Sequence, residues 1–325
     1  MQRPVLEVRN LAVEFGAGAG RVRAVDDVSF EVNPGETLAI VGESGSGKSV
    51  TALSLLRLVP TPPGRFCSGE ILFEGEDLLK ASDAAIRCIR GNRIAMIFQE
   101  PMSSLNPALT VGLQIAEPLQ LHGRLPWARA FDKARELLTR VRIPDAARRV
   151  NTHPHQFSGG MRQRAMIAMA LACKPNLIIA DEPTTALDVT VQAQILSLLK
   201  DLTKETNAAL ILITHDLGVV ARYADRVCVM YAGRVVESGS AQDIYANPRH
   251  PYTLGLMASI PRLDQDAVDR LTPIDGQPPD LAALPKGCAF EPRCRYAMDR
   301  CRDERPTLEH EGGRHYRACF ANVAC

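Results

Sequence analysis

The sequence runs to 325 residues and 35.5 kDa, room for two compact domains or one large domain with an appendage. Hydrophobic residues make up 46% and charged residues 23%, which excludes wholesale disorder. Thirty-eight basic against 37 acidic side chains leave a net charge of +1, and aromatics are only 5%, so neither a nucleic-acid-coating surface nor a base-stacking platform is expected.

No apolar run approaches the roughly 20 residues of a membrane helix. Met1-Gln2-Arg3-Pro4 leads straight into an alternating pattern, without a signal-peptide apolar region. A cytosolic chain with reduced thiols is expected, so the nine cysteines are not read as a disulfide framework.

Residues 5–15 and 24–32 alternate apolar and polar side chains around the glycine-rich turn 16–20, which predicts two strands. Residues 37–41 form a continuous apolar run, as in a strand buried on both faces. A glycine-rich loop and a helix through Leu53, Leu55 and Leu56 follow. Residues 94–98 read as another buried strand. After Gln99 the pattern turns helical to about residue 172, with Trp127, Ala130, Phe131, Ala134, Leu137, Leu138 and Val141 on one face. Strands return at 177–180 and 209–213, and at 226–237 as a hairpin around Gly233. Val191, Ile195, Leu198, Leu199 and Leu202 mark an amphipathic helix between the first two. The expectation is an α/β core with a helical insert at about 100–172. Beyond 240 prolines crowd in and periodicity fades, which predicts a domain of residues 1–240 and a partly looped extension at 241–325.

Gly42-Glu43-Ser44-Gly45-Ser46-Gly47-Lys48-Ser49 fits G-x-x-x-x-G-K-[ST] between a buried strand and a helix. Glycines let backbone N–H groups wrap phosphates, and the helix N-terminus adds favourable partial charge. Lys48 should reach the terminal phosphates and Ser49 should ligate Mg2+. Farther on, four apolar residues end in Asp181-Glu182. Ligands of parallel sheets bind at the carboxyl ends of strands. Asp181 can hold Mg2+ there, and Glu182 can polarise an attacking water. A ligand-free turn and a solvated acidic loop are the plainer alternatives to these two readings.

Phe157-Ser158-Gly159-Gly160-Met161 opens another helix, with Ser158 as N-cap and two glycines exposing backbone N–H groups. Here the chain resembles the ATP-binding cassette family, over about residues 4–240. Ser158-Gly159-Gly160 match its signature motif, usually Leu-Ser-Gly-Gly-Gln, with departures at Phe157 and Met161. Gln99 matches the Q-loop, Asp188 in Thr185-Ala186-Leu187-Asp188 the D-loop and His215 the switch histidine; Phe15 is the adenine-stacking candidate. The resemblance implies a P-loop NTPase cassette: a RecA-like core with a β subdomain and a helical subdomain. It implies that two cassettes close head-to-tail over two ATP molecules. Phe15, Gly42, Ser44, Gly45, Gly47, Lys48, Ser49 and Val50 would bind the nucleotide, with Ser158, Gly159, Gly160 and Asp188 contributing across the seam. Ser49, Gln99 and Asp181 would hold Mg2+. Glu182, His215, Gln99 and Lys48 would carry the chemistry.

Asn247-Pro248-Arg249-His250-Pro251-Tyr252-Thr253 and Pro273-Ile274-Asp275-Gly276-Gln277-Pro278-Pro279-Asp280 are similar to hallmarks of the oligopeptide and dipeptide importer ATPases, D-type branch. That resemblance covers nearly the whole length. It implies a peripheral subunit on the cytoplasmic face of the inner membrane. Its expected partners are a homologous F-type ATP-binding subunit, two transmembrane permeases and an extracytoplasmic solute-binding protein, and no nucleic acid. Related branches carry nickel or glutathione. A soluble cassette ATPase acting on ribosomes or DNA is disfavoured by the single cassette and the lack of sustained heptads. A metal- or redox-sensing regulator that uses the tail is a third reading.

Five cysteines crowd the last 38 positions, and Cys288, Cys294, Cys301 and Cys319 have the spacing C-x5-C-x6-C-x17-C. Four thiols in a reducing compartment suggest a soft metal, and the spacing is unlike the paired C-x2-C of zinc ribbons. Some members of the resembled branch hold a 4Fe-4S cluster here. Cluster, zinc and free thiols are all open, with Cys325 a possible substitute for Cys319. Cys67, Cys88, Cys173 and Cys228 read as scattered thiols.

Overall fold

A computed structural model of the chain describes residues 3–185, 187–259 and 274–323. The strands are β1 (Leu6–Phe15), β2 (Val22–Val32), β3 (Thr37–Val41), β4 (Gly64–Phe73), β5 (Glu76–Asp77), β6 (Ile94–Ile97), β7 (Leu177–Asp181), β8 (Ala209–Thr214), β9 (Arg226–Tyr231), β10 (Arg234–Ser240), β11 (Glu309–Gly312) and β12 (His315–Arg317). The helices are α1 (Lys48–Leu55), α2 (Asp83–Ile89), α3 (Pro101–Ser104), α4 (Val111–Leu121), α5 (Trp127–Arg140), α6 (Ala146–Arg149), α7 (Gly159–Ala170), α8 (Val189–Thr206), α9 (Leu217–Tyr223), α10 (Ala241–Ala246), α11 (Pro251–Ala258) and α12 (Asp299–Asp303). They fall into two compact units. Residues 1–6, 32–36 and 73–213 form the first, and residues 7–31, 37–72 and 214–325 form the second.

In the first unit β6, β7 and β8 run parallel in the order β8-β7-β6, with Ile94 opposite Leu177 and Leu177 opposite Ala209. Every residue of β7 and β8 is buried, which is why both read as unbroken apolar runs. The helical insert packs α4 and α5 on α7. α5 buries Ala130, Ala134, Leu137 and Leu138, and each buried leucine is worth about 2 kcal/mol. Trp127 departs from its expected place on that face: it is the first residue of the helix and stays 47% exposed. Thr110, Ser158 and Asp188 cap α4, α7 and α8 by accepting the N–H groups of Leu113, Met161 and Val191.

The second unit holds a sheet in the order β2-β1-β4 and another in the order β11-β12-β10-β9-β3. β3 and β9 are parallel. β9 and β10 form the expected hairpin around Ala232 and Gly233, both with positive φ (48° and 78°), as a two-residue turn requires. β4 has no counterpart among the sequence expectations, because its polar, glycine-bounded sequence lacks clean alternation. The unit continues through the point near residue 240 where a domain boundary is expected. Ile244, Tyr252 and Phe290 join a core with Ala39, Val41, Val227, Val229 and Tyr231. β12 adds an antiparallel edge to β10, with Glu237 opposite Arg317. Among the described residues no helix is long and apolar enough to cross a membrane.

Candidate functional site

The phosphate loop lies in the second unit, between β3 and α1. Gly42 has φ 153° and Gly47 φ 99°. A Cβ on Gly42 would sit 2.2 Å from the Met230 carbonyl oxygen, and one on Gly47 would sit 2.4 Å from that of Ala24; only glycine fits either place. Lys48 is buried, and its Nζ donates to the carbonyls of Gly42 and Glu43 at 2.8 Å each. Ser44, Gly45 and Ser49 are exposed, and Val50 is half-buried. No side chain caps α1 at Gly47, which suits an anion at the helix N-terminus. Phe15 ends β1, half-buried. Beside it Glu14 accepts from Arg23 at 2.8 Å and Arg65 at 2.9 Å, and those bonds hold its carboxyl at about 2. His215 follows β8 and is exposed.

The acidic pair lies in the first unit. Asp181 is the buried last residue of β7. Glu182 takes φ 45°, an uncommon conformation for a residue with a side chain. Its N–H donates to the Ile213 carbonyl at 2.9 Å. Its Oε2 accepts from Gln99 Nε2 and from Thr185 Oγ1, both at 2.9 Å. The structure thus brings together Gln99 and Glu182, which are 83 positions apart, and adds Thr185. Thr185 carries no mark of this contact in the sequence, because only the turn after β7 folds it back onto the carboxylate.

The signature residues open α7 in the same unit. Ser158 Oγ accepts the Met161 N–H at 3.4 Å, so the departure from the usual glutamine leaves the cap in place. Gly160 lies against α8, where a Cβ would meet Val191 at 2.9 Å. The carboxylate of Asp188 accepts the Val191 N–H at 3.0 Å, beside Val189, which is 82% exposed. Ala186 of the D-loop match lies outside the described residues.

The ABC transporter family matches residues 25–185, and the oligopeptide/dipeptide transporter C-terminal region matches residues 236–301. The chain is 54% identical over 312 residues to the oligopeptide transport ATP-binding protein OppD of Bacillus subtilis (strain 168), covering 96% of this chain and 87% of the relative. It is 52% identical over 319 residues to OppD of Salmonella typhimurium, with 98% and 94% covered. The chain belongs to the ATP-binding subunits of oligopeptide/dipeptide ABC transporters. Among solved structures, the ATP-binding cassette MJ0796, a dimer in a post-hydrolysis state bound to ADP and Pi, matches this ABC subunit with a TM-score of 0.65. It is 29% identical, over 73% of this chain and 98% of that one.

The C-terminal part of this ABC subunit is tied down by a buried carboxylate. Glu237 is fully buried and accepts the N–H groups of Arg249 at 2.6 Å and His250 at 3.0 Å, with His315 Nε2 at 2.7 Å. His250 Nδ1 in turn accepts the Tyr252 N–H at 3.0 Å and caps α11. These bonds account for Arg249-His250-Pro251-Tyr252 as a structural unit. Pro273 of the second hallmark lies outside the described residues.

Cys288, Cys294, Cys301 and Cys319 all line one small cavity with His250, Phe290 and Phe320. The Cys288 N–H donates to the Cys301 carbonyl at 2.8 Å. Burial pushes the Cys288 thiol up to about 11 and raises those of Cys294 and Cys319. Four sulfurs on one apolar cavity are a fitting donor set for a soft metal. The shared void, about 10 Å3, has room for about one water, and no three His, Cys, Asp or Glu among the described residues are arranged to hold a metal ion. As arranged, the residues fit neither a single ion nor a cluster; a cluster requires the side chains to turn apart. Cys67 and Cys88 are exposed, Cys173 is half-buried and Cys228 buried. Cys325 lies outside the described residues.

Proposed function

We propose that this subunit hydrolyses ATP to drive the uptake of dipeptides or oligopeptides. The observation that carries the reading is the pairing of a cassette match at 25–185 with the peptide-transporter match at 236–301 in one chain. Lys48 and the phosphate-loop N–H groups, with Ser44, Gly45 and Gly47, take the phosphates, and Phe15 takes the base. Ser49, Gln99 and Asp181 are the residues that would hold Mg2+, which would neutralise charge on the phosphoryl oxygens. Glu182 accepts the proton of the attacking water, and Gln99 and His215 orient water and γ-phosphate. Ser158, Gly159, Gly160 and Asp188 act on the nucleotide held by the partner subunit. That arrangement stabilises charge where it develops.

The proposed partner is a homologous F-type subunit, and both dock on two transmembrane permeases at the cytoplasmic face of the inner membrane. A solute-binding protein delivers the peptide. Cys288, Cys294, Cys301 and Cys319 converge on one cavity, and they are the proposed ligands of a 4Fe-4S cluster on the condition that the side chains turn apart to admit it. Bound there, a cluster would cross-link a proline-rich segment.

The reading is tested in proteoliposomes holding this subunit, its homologous partner and the two permeases. Labelled peptide should accumulate only with ATP, Mg2+ and the solute-binding protein. ATP hydrolysis without any peptide accumulation, across a panel of di- to hexapeptides, would remove the import assignment.

A further inference from the structure

We propose that Arg293 and Tyr252, both from the C-terminal segment, are positioning residues for ATP: they hold and neutralise Glu43 inside the phosphate loop. The inference rests on the nucleotide reading above.

Glu43 is the second residue of Gly42-Glu43-Ser44-Gly45-Ser46-Gly47-Lys48-Ser49. A carboxylate there stands in a loop whose ligand carries several negative charges, so a bare Glu43 would repel what the loop must bind. The structure supplies a counter-ion from 250 positions away. Arg293 Nη1 donates to Glu43 Oε2 at 2.7 Å and Nη2 to Oε1 at 3.0 Å, a two-pronged pair. The Arg293 side chain is 5% exposed and that of Glu43 25%, so water screens the pair weakly. The remaining guanidinium contacts fix its plane. Nε donates to the Asp275 carbonyl at 2.9 Å, and Nη1 lies 3.4 Å from the Tyr231 hydroxyl.

The backbone of Glu43 is held as well. Its N–H donates to the Tyr252 hydroxyl oxygen at 2.7 Å, and its carbonyl accepts from Lys48 Nζ at 2.8 Å. Tyr252 is fully buried, with ring centroids 4.6 Å from Tyr231 and 5.4 Å from Phe290. One loop residue therefore has its N–H and its carboxylate gripped by a segment beyond residue 250, while its carbonyl holds the phosphate-binding lysine. The two stretches that mark the peptide-transporter branch converge on this grip. The first carries Tyr252, and the second carries the Asp275 carbonyl that orients Arg293.

The experiment measures ATP affinity and turnover in the assembled transporter. Arg293→Ala should weaken ATP binding about tenfold or more, mostly in KM and less in kcat, because the unpaired Glu43 charge opposes ground state and transition state alike. Glu43→Gln placed in the Arg293→Ala background should restore most of that affinity, since the repelling charge is gone. Tyr252→Phe, which removes only the hydroxyl, should weaken ATP binding several-fold. A purely structural Arg293 would give a double variant no better than Arg293→Ala, and that result, or unchanged ATP affinity in Arg293→Ala, would overturn the proposal. Failure of the wild-type complex to bind ATP would instead strike the nucleotide reading itself.

Discussion

Gln99 Nε2 donates to Glu182 Oε2 at 2.9 Å, and Thr185 Oγ1 donates to the same oxygen at 2.9 Å. Two donors on one oxygen set the carboxylate's rotation. Replacing this proposed base should separate binding from chemistry. Glu182→Gln is expected to keep ATP affinity and to lose turnover by about 100-fold or more, measured as steady-state phosphate release beside a nucleotide-binding titration. Wild-type-like release would remove Glu182 from the role of base.

Thr185→Val removes one of the two donors at nearly constant volume. The proposed base remains but loses part of its orientation. Turnover should fall several-fold, with KM for ATP little changed. A variant whose KM rises while kcat holds would show that Thr185 serves binding instead.

Glu237 has no exposed surface and accepts from two backbone N–H groups and from His315. Glu237→Ala orphans all three donors. The expected cost is about 3 kcal/mol or more, read from urea unfolding. A loss below about 1 kcal/mol would mean that these groups find other partners.

His250 is buried, and burial pushes its imidazole down to about 4 against the opposing pull of Glu237. In the unfolded chain it titrates near 6.5. Between those values the unfolded chain takes the proton and the folded chain does not. Stability from this site is therefore whole above pH 6.5 and falls as pH drops towards 4, by up to about 3 kcal/mol. Unfolding midpoints of wild type and His250→Asn across this range test it. Asparagine can still cap α11 but has no proton to gain, so its curve should be flatter; parallel curves would reject the assignment.

The cysteine cavity makes a separate prediction. Protein purified without oxygen should carry iron and labile sulfide in equal amounts, with a charge-transfer absorbance, and Cys301→Ser should lose both. Absence of iron and sulfide from the anaerobic wild type would reject the cluster and leave four free thiols on the cavity.

Much of the candidate site is legible from sequence because its signals are local. Glycines in the phosphate loop are forced by backbone approach within a few residues, as at Gly42 and Gly47. The acids after β7 announce themselves because a doubly buried strand must be apolar until it ends. Trp127 shows the limit of periodicity. It keeps the spacing of its neighbours, yet it is the first residue of α5 and stays 47% exposed.

What the chain alone determined was the set of backbone conformations and reactive groups: the loop, the acid pair, the capped signature helix and the late cluster of thiols. Only the folded structure decided which distant groups meet. Arg293 lies beside Cys294 with no local mark of function, and β11 and β12 are too short to announce the edge they add to β10. The physical reason is that a charge finds its counter-ion through packing. Tyr231, Tyr252 and Phe290 build the wall that delivers a guanidinium to Glu43 from 250 residues away, and no spacing rule along the chain encodes that approach.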